Sequence, residues 1–128
     1  MNREELIAEA FKAMKNSYAP YSKYHVGAAI LTTDGKVFWG ANIENASFGG
    51  TNCAERSAVF AAYSNGYTKD TIQALAIVSD GGRVCAPCGI CRQVLSELIR
   101  GDMPIYLSNG KSEVDMTINK LLPMQFGV

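Results

Sequence analysis

Residues 72–107 read IQALAIVSDGGRVCAPCGICRQVLSELIRGDMPIYL, and this stretch decides the fold. Ile72 to Ser79 is a nearly continuous apolar run closed by Asp80-Gly81-Gly82, the pattern of a strand covered on both faces. Ile90, Val94, Leu95, Leu98 and Ile99 then recur at helical spacing as far as Gly101, and Pro104 to Leu107 is a short second strand. Upstream, Val26 to Thr32 and Val37 to Ile43 flank Thr33-Asp34-Gly35-Lys36, whose Asp-Gly pair favours a tight hairpin turn. Between hairpin and strand, Cys53 to Ser64 is rich in alanine and stops at Asn65-Gly66, as a helix does.

The ends complete the pattern. Asn2 with Glu5 three residues on forms a capping signature before Leu6, Ile7, Ala10, Phe11 and Met14, a first amphipathic helix. After the Asn109-Gly110 turn, Val114 to Ile118 reads as a last strand before a short C-terminal helix. The order αββαβαββα predicts an α/β fold, one mixed five-stranded sheet with helices packed on its faces as a three-layer α/β/α sandwich. The 128 residues contain no repeat and no linker, so the expectation is a single domain over 1–128. A chain of this size buries about two thirds of its unfolded surface and needs no disulfide scaffold.

Composition narrows the function. Twelve Lys+Arg balance twelve Asp+Glu, which removes the electrostatic footprint expected of a polynucleotide or anionic-membrane partner. No window approaches the apolar length that spans a bilayer, and the first residues lack a signal-peptide pattern, so a cytoplasmic protein is expected. In a reducing compartment four cysteines point to metal or catalysis rather than to disulfides. The charged fraction of 19% falls below that of ordinary soluble domains, as it does where apolar surface is covered by another subunit.

Cys53-Ala54-Glu55 and Pro87-Cys88-Gly89-Ile90-Cys91 each open a helix. A Cys-x-x-Cys pair and a third thiolate from another helix start supply three of the four positions of a tetrahedral zinc, leaving one for water. Three thiolates on Zn2+ leave a net charge of about −1, which opposes acidification of that water. Two helix N-termini, each worth roughly +0.5 charge, and Arg56 offset the thiolates, with Arg92 a second candidate. Glu55 lies too close to Cys53 to be a fourth ligand of the same turn and is placed to move a proton.

With these residues in view, the sequence resembles the zinc-dependent cytidine deaminases of the small, homotetrameric type. The resemblance rests on Ala19-Pro20-Tyr21-Ser22-Lys23-Tyr24 with Val26-Gly27-Ala28-Ala29, on Asn42-Ile43-Glu44-Asn45-Ala46-Ser47-Phe48, on Cys53-Ala54-Glu55-Arg56 and on Pro87-Cys88-Gly89-Ile90-Cys91-Arg92-Gln93. It implies zinc held by Cys53, Cys88 and Cys91, Glu55 as the proton shuttle, a ribose clamp of Asn42 and Glu44, and substrate contacts from Tyr24 and Ala54. It further implies a homotetramer with shared sites, in which Ala46, Phe48 and Phe126 serve neighbouring subunits. The implied reaction is deamination of cytidine and deoxycytidine to uridine and deoxyuridine, in pyrimidine salvage. Asn42 and Glu44 flank Ile43 and so face the same way at a strand end, where an amide and a carboxylate suit hydroxyls better than a phosphate.

Other readings are open to the same residues. A nucleoside-like antibiotic of the blasticidin type, or a free base, are alternative substrates, and the Asn42–Glu44 clamp argues against both. A polynucleotide-editing deaminase is opposed by the zero net charge and by Cys53 where the editing signature carries His. A non-enzymatic module would enlist Cys85 with Cys53, Cys88 and Cys91 in a closed four-cysteine zinc site, although Cys85 lies in an extended loop before Pro87 and is expected to be a free thiol. His25, the only histidine, opens a strand far from the ligands in sequence and is expected to take no catalytic part.

Overall fold

The computed structural model describes residues 1–128 and begins with the helix that the capping signature predicts. Asn2 Oδ1 accepts from the Glu5 amide at 2.8 Å and Glu5 Oε1 accepts from the Asn2 amide at 3.0 Å, a closed capping box that starts α1 (Arg3–Met14). The hairpin follows as β1 (Val26–Thr32) and β2 (Val37–Ala41), paired antiparallel with Ala29 opposite Trp39. Then come α2 (Ala54–Ser64), β3 (Ile72–Ser79), α3 (Gly89–Leu98), β4 (Ile105–Ser108), β5 (Glu113–Met116) and the single turn α4 (Ile118–Leu121).

The five strands form one mixed sheet in the order β2-β1-β3-β4-β5. β3 runs antiparallel to β1 and parallel to β4, because the chain between β3 and β4 crosses over through α3. Successive residues of the central strands feed opposite layers. Val26, Ala28, Ile30, Leu75 and Ile77 pack beneath α2, α3 and α4, while Ala29, Leu31, Ala74, Ala76 and Val78 pack beneath α1. The continuous apolar run of β3 is thereby used on both faces, and the α/β/α sandwich expected from the sequence is present. Each fully buried Leu or Ile of this core is worth about 2 kcal/mol of transfer free energy. No helix is long and apolar enough to cross a membrane.

Two glycines set the spacing of the layers. A Cβ on Gly27 would stand 2.2 Å from the Ala10 carbonyl oxygen of α1, and one on Gly40 would stand 2.2 Å from the Ala54 carbonyl oxygen of α2. The helices therefore approach the sheet as closely as backbone allows at these points.

Three of the boundaries that differ from the sequence reading do so for a local reason. β2 stops at Ala41 rather than Ile43, since Asn42 turns its side chain into the chain's own backbone and Ile43 pairs instead with Tyr18 and Asn52. Ile99 leaves the helix in an extended conformation, so α3 ends at Leu98; Ile90, expected on its buried stripe, is 64% exposed. Thr117 caps α4 through a bond from the Lys120 amide and removes Ile118 from the last strand.

Candidate active site

Val26, at the start of β1 and paired with Ser79 at the end of β3, lines one cavity with the N-termini of α2 and α3. Cys53 is the N-cap of α2, Cys88 the N-cap of α3 and Cys91 lies in the first turn of α3. Neither capping cysteine bonds back to its own helix, so the free amides of both first turns are left for whatever the sulfurs hold. The three sulfurs lie within 4.8 Å of one another, with Cys53 Sγ and Cys88 Sγ 3.9 Å apart. A tetrahedral zinc with Zn–S bonds of about 2.3 Å requires sulfurs roughly 3.8 Å apart. The donor set and its spacing fit zinc with one position left open. Cys85 is outside this group, which removes the closed four-cysteine site.

Electrostatics favour a thiolate here. The Cys53 thiol is held down at about 5, chiefly by its bond with Cys91 and then by Arg56, whose Nη2 stands 3.5 Å from the sulfur. Cys91 is pushed up by the same contact with Cys53, so the cluster shares its first negative charge and surrenders the remaining protons as a metal enters. Arg92 is not a counter-charge. Its Nε donates to the Pro87 carbonyl at 2.7 Å and its Nη1 to the Leu121 carbonyl at 2.6 Å, tying the Cys88 loop to α4.

Glu55, in the first turn of α2, is only 3% exposed. Burial pushes its carboxyl up to about 7, the Cys53 charge adds to the rise, and its own backbone amide and Arg56 oppose it. An acid poised near neutrality can both accept and return a proton.

A cavity of about 360 Å³ opens beside this cluster. Cys53, Ala54, Glu55 and Cys88 line one part of it, and Tyr24, Asn42 and Glu44 line another. Glu44 accepts from the Tyr21 and Ser22 amides at 3.0 and 3.1 Å and from the Ser22 hydroxyl, which holds its carboxyl below the usual range. Asn42 is buried, with its Nδ2 donating to the Tyr24 carbonyl at 2.8 Å. Ala46, Phe48 and Phe126 are not on this cavity. Phe48 is 78% exposed and packs edge-on against Tyr21 6.3 Å away, while Phe126 is 71% exposed on the tail.

The sequence reading gave no role at this cavity to several residues found here. Cys85 is on the cavity wall beside Tyr24, its thiol pushed up by burial. Ser22, inside the Pro-Tyr-Ser stretch, turns out to hold Glu44 in place. Ser17 and His25 stand behind Asn42, and no local pattern marks that contact across 25 positions.

Comparison with known proteins agrees with this geometry. Residues 1–107 match the family model described as the cytidine and deoxycytidylate deaminase zinc-binding region. The chain belongs to the cytidine and deoxycytidylate deaminase family. Among its relatives, a cytidine deaminase of Halalkalibacterium halodurans is 50% identical over 127 residues, covering 98% of this chain and 95% of that protein. One from Sporosarcina psychrophila is 49% identical over 127 residues, covering 98% and 92%. The crystal structure of a Burkholderia pseudomallei cytidine deaminase superposes with a TM-score of 0.94 at 43% identity, covering 98% of this chain and all of that one. Cys53 and Glu55 share the N-terminal end of α2, and Cys88 and Cys91 come from that of α3.

Proposed function

We propose that the chain catalyses hydrolytic deamination of cytidine and deoxycytidine to uridine and deoxyuridine with release of ammonia. The observation that carries this is the meeting of buried Glu55 and the Cys53, Cys88, Cys91 cluster on one cavity whose other side offers Asn42 and Glu44. Bound at the three cysteines, zinc supplies the Lewis acidity that makes water a nucleophile at neutral pH. Glu55 takes a proton from the attacking water as the C4–oxygen bond forms and gives it to ring N3. It then moves the second proton to the amino nitrogen as the C4–nitrogen bond breaks, so that water in and ammonia out balance. Tyr24 packs against the base, and Asn42 and Glu44 hold a sugar hydroxyl. The Glu44 carboxylate repels a phosphate and the neutral Asn42 amide brings no charge to offset it, which favours nucleosides over nucleotides.

The exposed rings of Phe48 and Phe126 support a further part of the proposal, a homotetramer in which these residues and Ala46 complete neighbouring sites. Free thiols arranged for a metal suit a reducing, cytoplasmic setting and a place in pyrimidine salvage. Light scattering after size exclusion tests the assembly, and an active monomer would refute shared sites.

Ultraviolet absorbance with cytidine tests the reaction. Glu55→Gln keeps the shape of the side chain and is expected to lower kcat by about 100- to 10,000-fold while zinc content stays at one per chain. Cytidine turnover retained in Glu55→Gln, or undiminished after zinc is stripped, would refute the assignment.

A further inference from the structure

The Asn42 side chain has a forced orientation. The Val26 amide donates to Oδ1 at 3.0 Å, and Nδ2 donates to the Tyr24 carbonyl at 2.8 Å, so oxygen and nitrogen cannot be exchanged without losing both bonds. The Ser17 hydroxyl also meets Oδ1, and since that atom only accepts, Ser17 must donate to it. Ser17 Oγ is then left as an acceptor towards His25, whose Nδ1 stands 3.1 Å away. Nδ1 must carry a hydrogen. A chain of donors thus runs from His25 through Ser17 to Asn42, starting from a residue whose backbone amide donates to Asp80 Oδ1 at 3.0 Å.

Counting bonding capacity shows what this leaves for a ligand. Oδ1 of Asn42 accepts from both Val26 and Ser17 and is saturated; Nδ2 has spent one hydrogen on Tyr24 and retains one. Glu44 accepts three bonds, from the Tyr21 amide and from the amide and hydroxyl of Ser22, and its carboxylate has capacity for about one more. One donor and one acceptor remain on the cavity wall, the complement of a single hydroxyl group.

We propose that Ser17 and His25 are positioning residues for substrate specificity: they lock the Asn42 amide so that it presents only a donor, and thereby make the Asn42–Glu44 pair read a sugar hydroxyl. This rests on the reading of Asn42 and Glu44 as the ribose clamp. Without Ser17, Oδ1 recovers a free lone pair and the amide is held on two sides rather than three.

The test uses two competitive inhibitors of cytidine turnover that differ by one hydroxyl, 2′-deoxyuridine and 2′,3′-dideoxyuridine, with the zinc-loaded protein. The ratio of their inhibition constants measures hydroxyl recognition. In the parent protein the ratio is expected to exceed about tenfold, and Asn42→Ala is expected to bring it close to one. Ser17→Ala and His25→Phe are each expected to lower it about fivefold, the size of one neutral hydrogen bond, with KM for cytidine rising and kcat within about twofold. Ser17→Thr, which keeps the hydroxyl, and His25→Asn, which keeps a donor, are expected to restore it. A parent ratio near one, or no change in Asn42→Ala, would overturn the ribose clamp itself. A ratio that collapses in Asn42→Ala but survives in Ser17→Ala and His25→Phe would overturn the positioning role alone. Equal weakening of both inhibitors together with a fall in Tm would show a merely structural role and overturn it as well.

Discussion

Gly40→Ala should damage the metal centre from the far side of a helix, and Gly27→Ala is its built-in control. On Gly40 the added carbon would lie 2.2 Å from the Ala54 carbonyl oxygen, 2.5 Å from the Ala58 amide nitrogen and 3.0 Å from Ser57 Cβ. Ordinary contact begins near 3.4 Å, so α2 must retreat by about 1 Å. None of these atoms on α2 is the end of a flexible chain, and overpacking of this kind costs about 1 to 3 kcal/mol. For a chain of this size that is a fall in Tm of roughly 5 to 15 °C. The same retreat carries Cys53 away from Cys88, whose sulfurs are 3.9 Å apart, and metal sites tolerate only about 0.2 Å of misplacement. On Gly27 the clash is just as close, 2.2 Å to the Ala10 carbonyl oxygen and 2.6 Å to the Met14 amide, but it displaces α1 on the opposite face. Thermal melts of zinc-loaded and chelator-stripped protein, with zinc affinity from competition against a coloured chelator, separate the two effects. Both variants should lose comparable stability when stripped, and only Gly40→Ala should lose zinc affinity, by tenfold or more. Equal loss of zinc affinity in the two variants, or a stripped Gly40→Ala as stable as the parent, would refute the claim that α2 registers the site against the sheet.

Further outcomes follow from single contacts. Asn2→Ala removes the bond from the Glu5 amide and should cost about 1 kcal/mol of stability in chemical denaturation without altering kcat. Arg92→Ala unties Pro87 from Leu121, and zinc affinity should fall about 10- to 100-fold, as when other supports of metal ligands are removed. Arg56→Met should weaken zinc binding while leaving the stripped protein at least as stable, because the buried Arg56 Nε has no hydrogen-bond partner in the fold and a partly buried, incompletely paired cation is costly; matched losses in stripped Tm and zinc affinity would count against this. Arg3→Ala breaks contacts to Glu113 and Asp115, and its cost, about 0.5 to 1 kcal/mol at low salt, should fade towards zero in about 1 M salt.

How far the sequence reached depends on how local each cause is. The Asn2 cap, the Asp34-Gly35 turn and the run Ile72 to Ser79 are set by neighbours within a few residues, and each element formed where its pattern placed it. The three ligand cysteines and Glu55 were legible because helix starts put them in fixed geometry, so that finding the helices was nearly finding the site. Arg92 misled because adjacency to Cys91 suggested a charge contact, whereas carbonyls five and 29 positions away had the better geometry. Ile90 fits the helical period of α3, but the sheet is covered from the other side of that helix and leaves it exposed. Ser17, His25 and Asn42 meet only because the chain after α1 returns past the end of β2, where Tyr18 pairs with Ile43. Nothing in the periodicity of either segment encodes that return.

The site draws its charge balance from the backbone as much as from side chains. Three thiolates on a dication leave about one negative charge, and two helix N-termini return roughly one positive charge in total. Their amides are free because cysteine, unlike serine or aspartate, leaves the cap bonds unmade at positions 53 and 88. Arg56 then adds a full cation 3.5 Å from Cys53, more than neutrality requires. Glu55, the one acid of the first turn of α2, offsets that surplus when it is ionised. A helix N-terminus and a neighbouring arginine both stabilise its charged form, and burial with the Cys53 thiolate opposes them, so its carboxyl is pushed to about 7 instead of staying in the usual carboxylate range. An exposed glutamate on the same helix end would keep its ordinary acidity and be a weaker base towards water at neutral pH. What makes this residue suited to carrying a proton is its burial on a helix held close to the sheet at Gly40, a feature of the fold rather than of the acid.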